Sequence, residues 1–531
     1  MDTGLSTRDV TDHDDGSADR SFSVLGRSGV ATGHLDAQPE FFVDLNLDQV
    51  VESLTAGKQE YDLLPLFWTP AVDVEMVRNR QAVFADLHGA ERPALRNGIE
   101  EFATGMRDMR HRLTQATKLR YTLQRQWWFL DAVRVYTSAV TALAETFQTD
   151  PPTSEGLQAA DGHVRAYCGS AAFNRMRDDA DLVHRDLAAI RYTIDVRGSR
   201  VTVADYAGEP DYSDRVQATF SKFAQAGTDD YRTAFAEVPD MNHIEAEILD
   251  HVQQLNPEPF ARLAGISADY SEFIDEQLAR MDREMQFYLS YLEYIRPLEQ
   301  RGLTFCYPRV TDRRDEQSRA SFDLALAAQW SRTGKDGEIV TNGFTLRDPE
   351  RVIIVSGPNQ GGKTTFARTF GQLHYLAALG CPVPGERADL LFYDGLYTHF
   401  EREETIDTLN GKLQDDLIRI HDILAVATAD SVIVLNEIFT STTLQDAATL
   451  GRRVLDRIRT LGALCLCVTF IDELAALAPD TVSMVSTVDP DDAATRTFNI
   501  VRAAADGRAY AVAIAEKYGL TYDQLLQRVS A

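Results

Sequence analysis

The feature that most constrains this chain is a glycine-rich loop that directly follows a short apolar run. Residues 352–355 read Val-Ile-Ile-Val, and residues 357–364 read Gly-Pro-Asn-Gln-Gly-Gly-Lys-Thr. The spacing Gly-x-x-x-x-Gly-Lys-Thr lets successive backbone N–H groups turn inward around a chain of phosphates. With a strand before it and a helix after it, the complete pattern predicts a nucleotide-binding phosphate loop rather than a turn that binds nothing.

The residues of this loop have separate expected roles. Lys363 is predicted to reach the β and γ phosphates, and the hydroxyl of Thr364 is predicted to ligate Mg²⁺. The helix that follows adds a dipole whose N-terminal end favours the same anion. The candidate nucleotide-binding residues are Gly357, Pro358, Asn359, Gln360, Gly361, Gly362, Lys363, Thr364 and Thr365.

Size and composition indicate an ordinary globular protein. A chain of 531 residues can hold several domains, and its 44% hydrophobic and 25% charged residues are typical of soluble folds. No apolar run approaches a membrane span, and the N-terminus lacks a signal-peptide pattern. The five scattered cysteines fit a reducing compartment. We therefore expect a cytoplasmic protein without a membrane partner.

The charge of the chain bears on nucleic-acid binding. A net charge of −28 weighs against a protein that coats nucleic acid, because neutralising phosphates requires Lys and Arg. A local basic surface is still open between residues 107 and 134. Its cations are Arg107, Arg110, Arg112, Lys118, Arg120, Arg125 and Arg134, and its aromatic residues are Tyr121, Trp127, Trp128 and Phe129. We favour a long helix with its aromatic residues packed inward over a nucleic-acid contact.

The chain divides into four segments by pattern. Residues 1–38 lack hydrophobic periodicity and are predicted to be a disordered acidic tail. Residues 39–334 are mainly helical, and residues 335–485 have the texture of an α/β domain. Residues 486–531 are predicted to be a helical C-terminal element, with two helices broken at Gly519. The fold class is therefore a multi-domain one, a mainly α region followed by an α/β phosphate-loop domain.

The helical region contains one clear stripe of apolar residues. Its members follow steps of four and three and demand a packing partner, from this chain or from a second copy. They are Ile274, Leu278, Met281, Met285, Tyr288, Leu292 and Ile295. A hairpin interrupts the helices, since residues 192–196 and 201–203 alternate around a Gly198-Ser199 turn.

Short apolar runs alternate with helical patterns after residue 335. They are residues 337–340, 344–346, 352–355, 432–435 and 464–468. This alternation predicts a parallel sheet covered on both faces. Cys465 and Cys467 fall in the last run, where buried strand positions are a better interpretation than metal ligands.

The run 432–435 ends in Asn436-Glu437. In phosphate-loop ATPases a strand of this kind ends in acidic residues that support Mg²⁺ and position the attacking water. Glu437 is the candidate for activating water. Asn436 is the candidate for supporting Mg²⁺ through water, although an amide oxygen holds Mg²⁺ less strongly than a carboxylate. The alternative is an ordinary strand end.

At these motifs the sequence resembles the ATPase domain of the MutS family of DNA mismatch-repair and recombination ATPases. Residues 356–365 are similar to that family's Thr-Gly-Pro-Asn-Met-Gly-Gly-Lys-Ser-Thr. Residues 436–447 resemble its Asp-Glu-Ile-Gly-Arg-Gly-Thr-Ser-Thr-x-Asp-Gly, and residues 468–474 its Ala-Thr-His-Tyr-x-Glu-Leu. Residues 44–47 and 77–81 resemble the start of the family's helical core more weakly.

The departures from the family pattern concern catalysis. Asn436 stands where the family has Asp, and Phe470 stands where it has His. The family's Ser-Thr-Phe segment aligns with residues 411–413, so Lys412 is a candidate to supply a cation to the nucleotide of a partner subunit. Loss of metal or γ-phosphate contacts commonly slows hydrolysis by orders of magnitude. We expect a slow ATPase.

A further departure concerns the N-terminal region. The family's mismatch-reading domain carries a Phe-x-Glu wedge, and only the acidic tail precedes the helical core here. Phe235-Ala236-Glu237 fits that short string at a mid-core position where chance is a sufficient explanation. The sequence therefore resembles a divergent member that lacks the mismatch-reading domain.

The resemblance implies a homodimer that uses ATP with Mg²⁺, with residues 486–531 as the dimerisation element. It implies a DNA-binding ATPase of repair or recombination, acting on mismatched or branched DNA through an ATP-driven rearrangement of a clamp. One alternative is a nucleotide-switched ATPase that acts on a protein partner without touching DNA. Another is a helical scaffold that binds ATP and barely hydrolyses it. The negative charge favours these two alternatives, and the resemblance favours the DNA-binding ATPase.

Overall fold

The computed structural model shows a mainly helical part that leads into an α/β part. The structure describes residues 22–26, 37–89, 92–198, 200–208, 241–334, 338–401, 411–476, 478–489 and 495–505. Within these residues none of the helices combines the length and the apolar character that a membrane span requires.

Twelve α-helices of the described residues lie before residue 334. They are α1 (Phe41–Asp44), α2 (Leu47–Thr55), α3 (Leu64–Trp68), α4 (Val74–His88), α5 (Pro93–Lys118), α6 (Thr122–Thr149), α7 (Glu155–Cys168), α8 (Ala171–Ala189), α9 (His243–Leu255), α10 (Pro257–Asp269), α11 (Glu276–Glu299) and α12 (Leu324–Thr333). The predicted hairpin is confirmed as β1 (Tyr192–Arg197) and β2 (Arg200–Asp205), which pair antiparallel.

The basic stretch forms two helices rather than the single long helix that was predicted. Helices α5 and α6 pack antiparallel, and Gly105 permits their close approach because a Cβ there would lie 2.6 Å from the Cβ of Ala139. Several cations of the stretch are engaged in ion pairs. They include Arg110 with Asp282 at 2.6 Å, Arg112 with Asp131 at 2.6 Å and Arg134 with Asp181 at 3.2 Å. These pairs support a packed helical role for this stretch.

The apolar stripe of α11 finds its partners within this chain. Its members from Leu278 to Ile295 are buried against α2, α4, α5 and α12. The helix begins at Glu276, after Ile274, because the carboxylate of Asp275 caps it by accepting a hydrogen bond from the Leu278 N–H at 2.9 Å.

Part of the segment predicted as a disordered tail is held in the core instead. Residues 22–26 lie along α11, where the buried Glu284 carboxylate accepts hydrogen bonds from the Val24 N–H at 2.7 Å and the Ser23 hydroxyl at 2.9 Å. Burial raises the pKa of the Glu284 carboxyl, and the hydrogen bond from Ser23 opposes that shift. Residues 1–21 and 27–36 lie outside the described residues.

Arg80 connects this N-terminal segment to the α/β part. Its guanidinium is buried and donates from Nε to the Leu25 carbonyl at 2.8 Å and from Nη1 to the Leu379 carbonyl at 3.2 Å. Leu379 is the last residue of the helix that follows the phosphate loop. A cation at a helix C-terminus also interacts favourably with the helix dipole. Periodicity gave no sign of this contact, because it joins residues that are distant in sequence.

The α/β part contains a six-stranded main sheet, a four-stranded sheet, a two-stranded sheet and three helices. The strands are β3 (Phe305–Cys306), β4 (Arg309–Thr311), β5 (Glu316–Ser321), β6 (Asn342–Leu346), β7 (Val352–Ser356), β8 (Val383–Pro384), β9 (Arg387–Leu391), β10 (Leu396–Phe400), β11 (Val432–Asn436), β12 (Leu464–Val468), β13 (Thr481–Val488) and β14 (Arg496–Arg502). The helices are α13 (Lys363–Leu379), α14 (Lys412–Val426) and α15 (Leu444–Leu461).

The main sheet has the strand order β10-β11-β12-β7-β13-β14. All of its neighbouring strands pair parallel except β13 with β14, which pair antiparallel. Helix α13 packs on one face, and α14 and α15 cover the other, as the apolar runs predicted. Cys465 and Cys467 are buried on the same face of β12, so their interpretation as strand residues is confirmed.

The predicted segment boundaries differ from the strand pairing. Strands β3 to β5 lie before residue 334 in the region predicted to be helical, yet β5 pairs with β6 and β9 beyond that boundary. Strands β13 and β14 cross the boundary predicted at residue 486 and extend the main sheet to Arg502. Residues 338–340 adopt no strand. The helices predicted within 507–529, with the break at Gly519, lie outside the described residues.

We predict that Glu284→Gln lowers the free energy of unfolding by about 1–3 kcal/mol, because the carboxamide keeps only one accepting oxygen for the Ser23 hydroxyl and the Val24 N–H. Chemical denaturation of the full chain measures this change. Glu293→Gln is the matched control on the same helix, since Glu293 is exposed and pairs only at the surface, with Lys58. Equal stability of the two variants would contradict a structural role for the segment 22–26.

Candidate functional site

The phosphate loop lies at the carboxyl end of β7, between β12 and β13. Gly357 and Gly362 have φ angles of 115° and 88°, a conformation that residues with a side chain rarely adopt. Gln360 takes a left-handed conformation with φ of 60° between them. The loop then enters α13 at Lys363, so the strand–loop–helix arrangement has the form that the sequence predicted.

Lys363 is folded against its own loop. Its Nζ donates hydrogen bonds to the carbonyls of Gly357 and Pro358, each at 3.0 Å. Burial holds the pKa of the Lys363 ammonium below its ordinary value, and the negative charge of Glu437 opposes that shift. The ammonium is thus a buried cation at the loop, held by neutral carbonyls. A phosphate would offer this cation a stronger, charged acceptor.

The two residues predicted to support Mg²⁺ are brought into contact. The Thr364 hydroxyl donates to the Asn436 side-chain oxygen at 3.1 Å, although the two residues lie on different elements. The structure provides a hydroxyl and an amide oxygen here, and the described residues contain no cluster of three His, Cys, Asp or Glu side chains. Such a donor set suits Mg²⁺, which keeps several waters and takes phosphate oxygens as ligands.

Glu437 lines the same cavity as the loop. It follows β11 in a left-handed conformation with φ of 53°, and its N–H donates to the Val468 carbonyl at 2.9 Å. A non-glycine residue in this conformation is strained, and such strain is concentrated at functional sites. The structure therefore places the predicted water-activating carboxylate beside Lys363 and Thr364.

The cavity has a volume of about 550 Å³, within the usual range for a small-molecule site. Residues 359–365 and Glu437 line one part of it. The rest of the lining includes the apolar residues Leu326, Ile339, Val340 and Phe498 and the polar residues Ser321, Asp323, Glu338 and Asn342. The cavity therefore combines the polar groups of the loop with several apolar side chains.

Phe498 is the clearest member of this site that no sequence pattern indicated. Its side chain is 47% exposed, its φ is 60°, and its carbonyl accepts a hydrogen bond from the Asn342 amide at 3.0 Å. An exposed aromatic ring at the rim of a cavity offers a surface on which a nucleobase can stack. Phe498 reaches the loop only because β14 pairs with β13. The sequence predicted a helical element for residues 486–531 instead of these strands.

The structure does not bring Lys412 to this cavity. Lys412 is the first residue of α14, and its ammonium forms an ion pair with Glu401. Glu401 also accepts a hydrogen bond from the Thr440 hydroxyl at 3.3 Å. Residues 402–410 lie outside the described residues.

Comparison with known proteins agrees with this geometry. Residues 353–528 match the family described as MutS domain V. This match assigns the α/β part of the chain to MutS domain V. The family resemblance of the loop, the Asn436 segment and the strand β12 segment is thereby confirmed.

The relatives of this chain carry MutS and MutS2 names. The chain is 31% identical over 184 residues to "Endonuclease MutS2" of Gemmatimonas aurantiaca, which covers 34% of this chain and 22% of the relative. It is 26% identical over 289 residues to "DNA mismatch repair protein MutS" of Shouchella clausii, and this alignment covers 53% of this chain and 32% of the relative. It is 28% identical over 196 residues to "Endonuclease MutS2" of Thermus thermophilus, and this alignment covers 36% of this chain and 26% of the relative.

These alignments define how far the likeness extends. The matched segments span about a fifth to a third of the length of these relatives. The domain V match lies in the α/β part, and the partial coverage fits a divergent relative of the MutS proteins. Members of the family are ATPases associated with DNA mismatch repair or recombination.

We predict that Asn436→Asp lowers the Mg²⁺ concentration needed for half-maximal nucleotide binding by about tenfold, because a carboxylate holds Mg²⁺ more strongly than an amide. Titration of Mg²⁺ against a fluorescent ATP analogue measures the change. Asn242→Asp makes the same charge change at a helix N-cap, where Asp serves as well as Asn. An unchanged or raised Mg²⁺ requirement in Asn436→Asp would contradict the assigned metal position.

Proposed function

We propose that this chain is a Mg²⁺-dependent ATPase whose nucleotide site is the cavity at the carboxyl end of β7. The observation that carries the proposal is the convergence of two elements, the loop with the start of α13 and the end of β11, on one site. The loop supplies phosphate-binding groups, the Thr364–Asn436 contact supplies oxygen ligands for a metal, and Glu437 supplies a carboxylate. Each group is of the type that its role requires.

The proposed roles follow the positions of the side chains. Lys363 and the N–H groups of residues 357–365 bind the phosphates, and the dipole of α13 adds to their attraction. Bound Mg²⁺ would neutralise phosphate charge, with the hydroxyl of Thr364 as a direct ligand and Asn436 holding a metal-bound water. The apolar surface of Ile339, Val340 and Phe498 suits the base.

Glu437 is proposed to orient the attacking water and accept its proton. The carboxylate lines the same cavity as the ammonium of Lys363. Turnover is proposed to be slow for two reasons. Asn436 lacks the charge that would fix Mg²⁺ firmly, and Phe470 is a largely exposed apolar side chain that offers no polar contact to a γ-phosphate.

We further propose that two copies of the chain associate through the α/β part. Several large apolar side chains are exposed on or beside α14, α15 and β12. They are Leu417, Ile418, Leu444 and Phe470, with exposures of 39%, 41%, 62% and 44%. Large apolar side chains that stay exposed are candidates for a protein interface. In such a dimer Lys412 would contact the nucleotide of the partner subunit.

DNA is the proposed macromolecular partner, with mismatched or branched DNA as the preferred form. The names of the relatives support this, and the paired helices α5 and α6 supply the extended arms that a clamp needs. The alternative is a nucleotide-switched ATPase that acts on a protein. It is favoured by the net charge of −28 and by the ion pairs that engage Arg110, Arg112 and Arg134.

We predict that Glu437→Gln lowers the steady-state rate of ATP hydrolysis by about 100-fold while ATP binding is retained, because only the activation of water is lost. The control is Glu386→Gln, which removes a surface carboxylate paired with Arg319. If wild type and Glu437→Gln hydrolyse ATP at the same rate, Glu437 is not catalytic, and the scaffold alternative gains support.

DNA binding is tested with the full chain and three substrates: homoduplex, mismatched and branched DNA. We expect tighter binding to mismatched or branched DNA than to homoduplex, with an affinity that falls as salt rises because phosphate contacts release counterions. Fluorescence anisotropy at several salt concentrations measures both effects. If none of the three substrates binds even at low salt, the DNA proposal fails and the protein-partner alternative is favoured.

A further inference from the structure

Strand β13 continues past the end of β7 and contacts the phosphate loop. Val485 lies opposite Ser356 in the parallel register, so Ser486 is the next residue along and lies beside the first residue of the loop. The Ser486 side chain is fully buried, and its hydroxyl donates a hydrogen bond to the Gly361 carbonyl at 2.6 Å. This short hydrogen bond joins the strand to the loop, and the hydroxyl that makes it is closed to solvent.

Ser486 also explains why two positions of the loop need glycine. A Cβ on Gly357 would lie 2.9 Å from the Ser486 carbonyl oxygen, and a Cβ on Gly361 would overlap the Ser486 hydroxyl. The loop therefore packs directly against β13, with no side chain between them. Close backbone approach of this kind is a main structural use of glycine.

The hydrogen bond fixes the orientation of one peptide group. In a trans peptide the carbonyl and the following N–H point in opposite directions. With the Gly361 carbonyl directed at Ser486 in β13, the N–H of Gly362 is directed to the other side of the loop. Gly361, Gly362 and Lys363 line the nucleotide cavity. Inward-directed N–H groups of such a loop are the donors that bind phosphate oxygens.

We infer that Ser486 is a positioning residue for nucleotide binding, which holds the Gly361–Gly362 peptide with its N–H toward the phosphates. The inference rests on the proposed function of the same cavity. Ser486 is buried beneath the loop and acts on the ligand through that peptide group. Without the hydroxyl, the Gly361 carbonyl can stay buried and lose this donor. It can also rotate toward the cavity, where the negative end of its dipole would face the phosphates.

The same strand offers a matched control. Ser483 lies three residues earlier on β13, opposite Ile354 of β7, and its hydroxyl is buried without a hydrogen-bond partner among the described residues. Ser483→Ala therefore makes the same chemical change on the same strand without freeing a loop carbonyl. A difference between the two alanine variants isolates the contact with Gly361.

The test measures the dissociation constant of ATP with Mg²⁺ for the full-length wild type, Ser486→Ala and Ser483→Ala, together with the thermal unfolding midpoint of each without nucleotide. We expect ATP binding to Ser486→Ala to be weaker by about tenfold, which corresponds to about 1.4 kcal/mol. Ser483→Ala should bind ATP as the wild type does. Ser486→Cys, which keeps a weak donor at the same position, should bind with intermediate affinity.

The outcomes separate this inference from the function on which it rests. If the wild type binds ATP and Ser486→Ala binds it equally well, the inference about Ser486 is wrong while the proposed function stands. An equal loss in Ser483→Ala also overturns the inference, since the effect would then come from the strand as a whole. If the wild type itself does not bind ATP, the proposed function fails. Should Ser486→Ala not fold, Ser486→Cys decides between these outcomes.

Discussion

Helix α13 is buried on nearly all of its faces, and the rest of the structure depends on this packing. One side lies on strands β11 and β12, and the other contacts α4, β8 and β9. Gly371 permits part of this approach, because a Cβ there would lie 2.7 Å from the Leu45 side chain. Close-packed interiors transmit small displacements rather than absorb them. The helix that begins at the phosphate loop is therefore also the central element of the core.

Polar contacts tie the same helix to the first elements of the helical part. The fully buried Gln372 amide donates to the Leu45 carbonyl and to the Asp323 carboxylate, each at 2.9 Å, and accepts from the Leu324 N–H at 2.8 Å. Leaving any of these groups without a partner would cost about 1–3 kcal/mol. At the far end, the Leu379 carbonyl is held by Arg80. A single cluster of buried side chains accordingly spans both parts of the chain.

This arrangement gives the proposed function a physical basis. A ligand can alter a distant region only through a difference in interaction energy that the intervening structure carries. Here the loop, the helix and the helical part are joined without a gap by buried contacts. The N-terminal segment 22–26 joins the same network through Arg80. The contact of α13 with α4, and the contacts of α5 with α4 and α11, give a packed route from the loop into the helical part.

The sequence predicted the parts of this site that depend on local spacing. The loop from Gly357 to Thr364 and the pair Asn436-Glu437 are each defined by neighbouring residues and by a strand that ends before them. Parallel strands bring such ends to one edge of a sheet, so the contact between Thr364 and Asn436 follows from the pattern.

The parts that the sequence did not predict depend on pairing between distant segments. Ser486 and Phe498 reach the loop only because β13 and β14 extend the main sheet, and residues 481–502 have no strong alternation to show it. Residues 22–26 are short and lie in a polar segment, so their burial against Glu284 had no periodic signal. Local patterns identify chemistry at strand ends, whereas tertiary pairing decides what surrounds it.

The proposed function requires that the cavity ahead of Lys363 bind ATP with Mg²⁺. Equilibrium binding of radiolabelled ATP to the full chain, with Mg²⁺ and with EDTA, tests it most directly when wild type is compared with Lys363→Ala. The account predicts saturable binding by the wild type that weakens without Mg²⁺ and is largely lost in Lys363→Ala, since that variant removes the buried cation of the loop. Absence of binding by the wild type, or equal binding by both proteins, would contradict it.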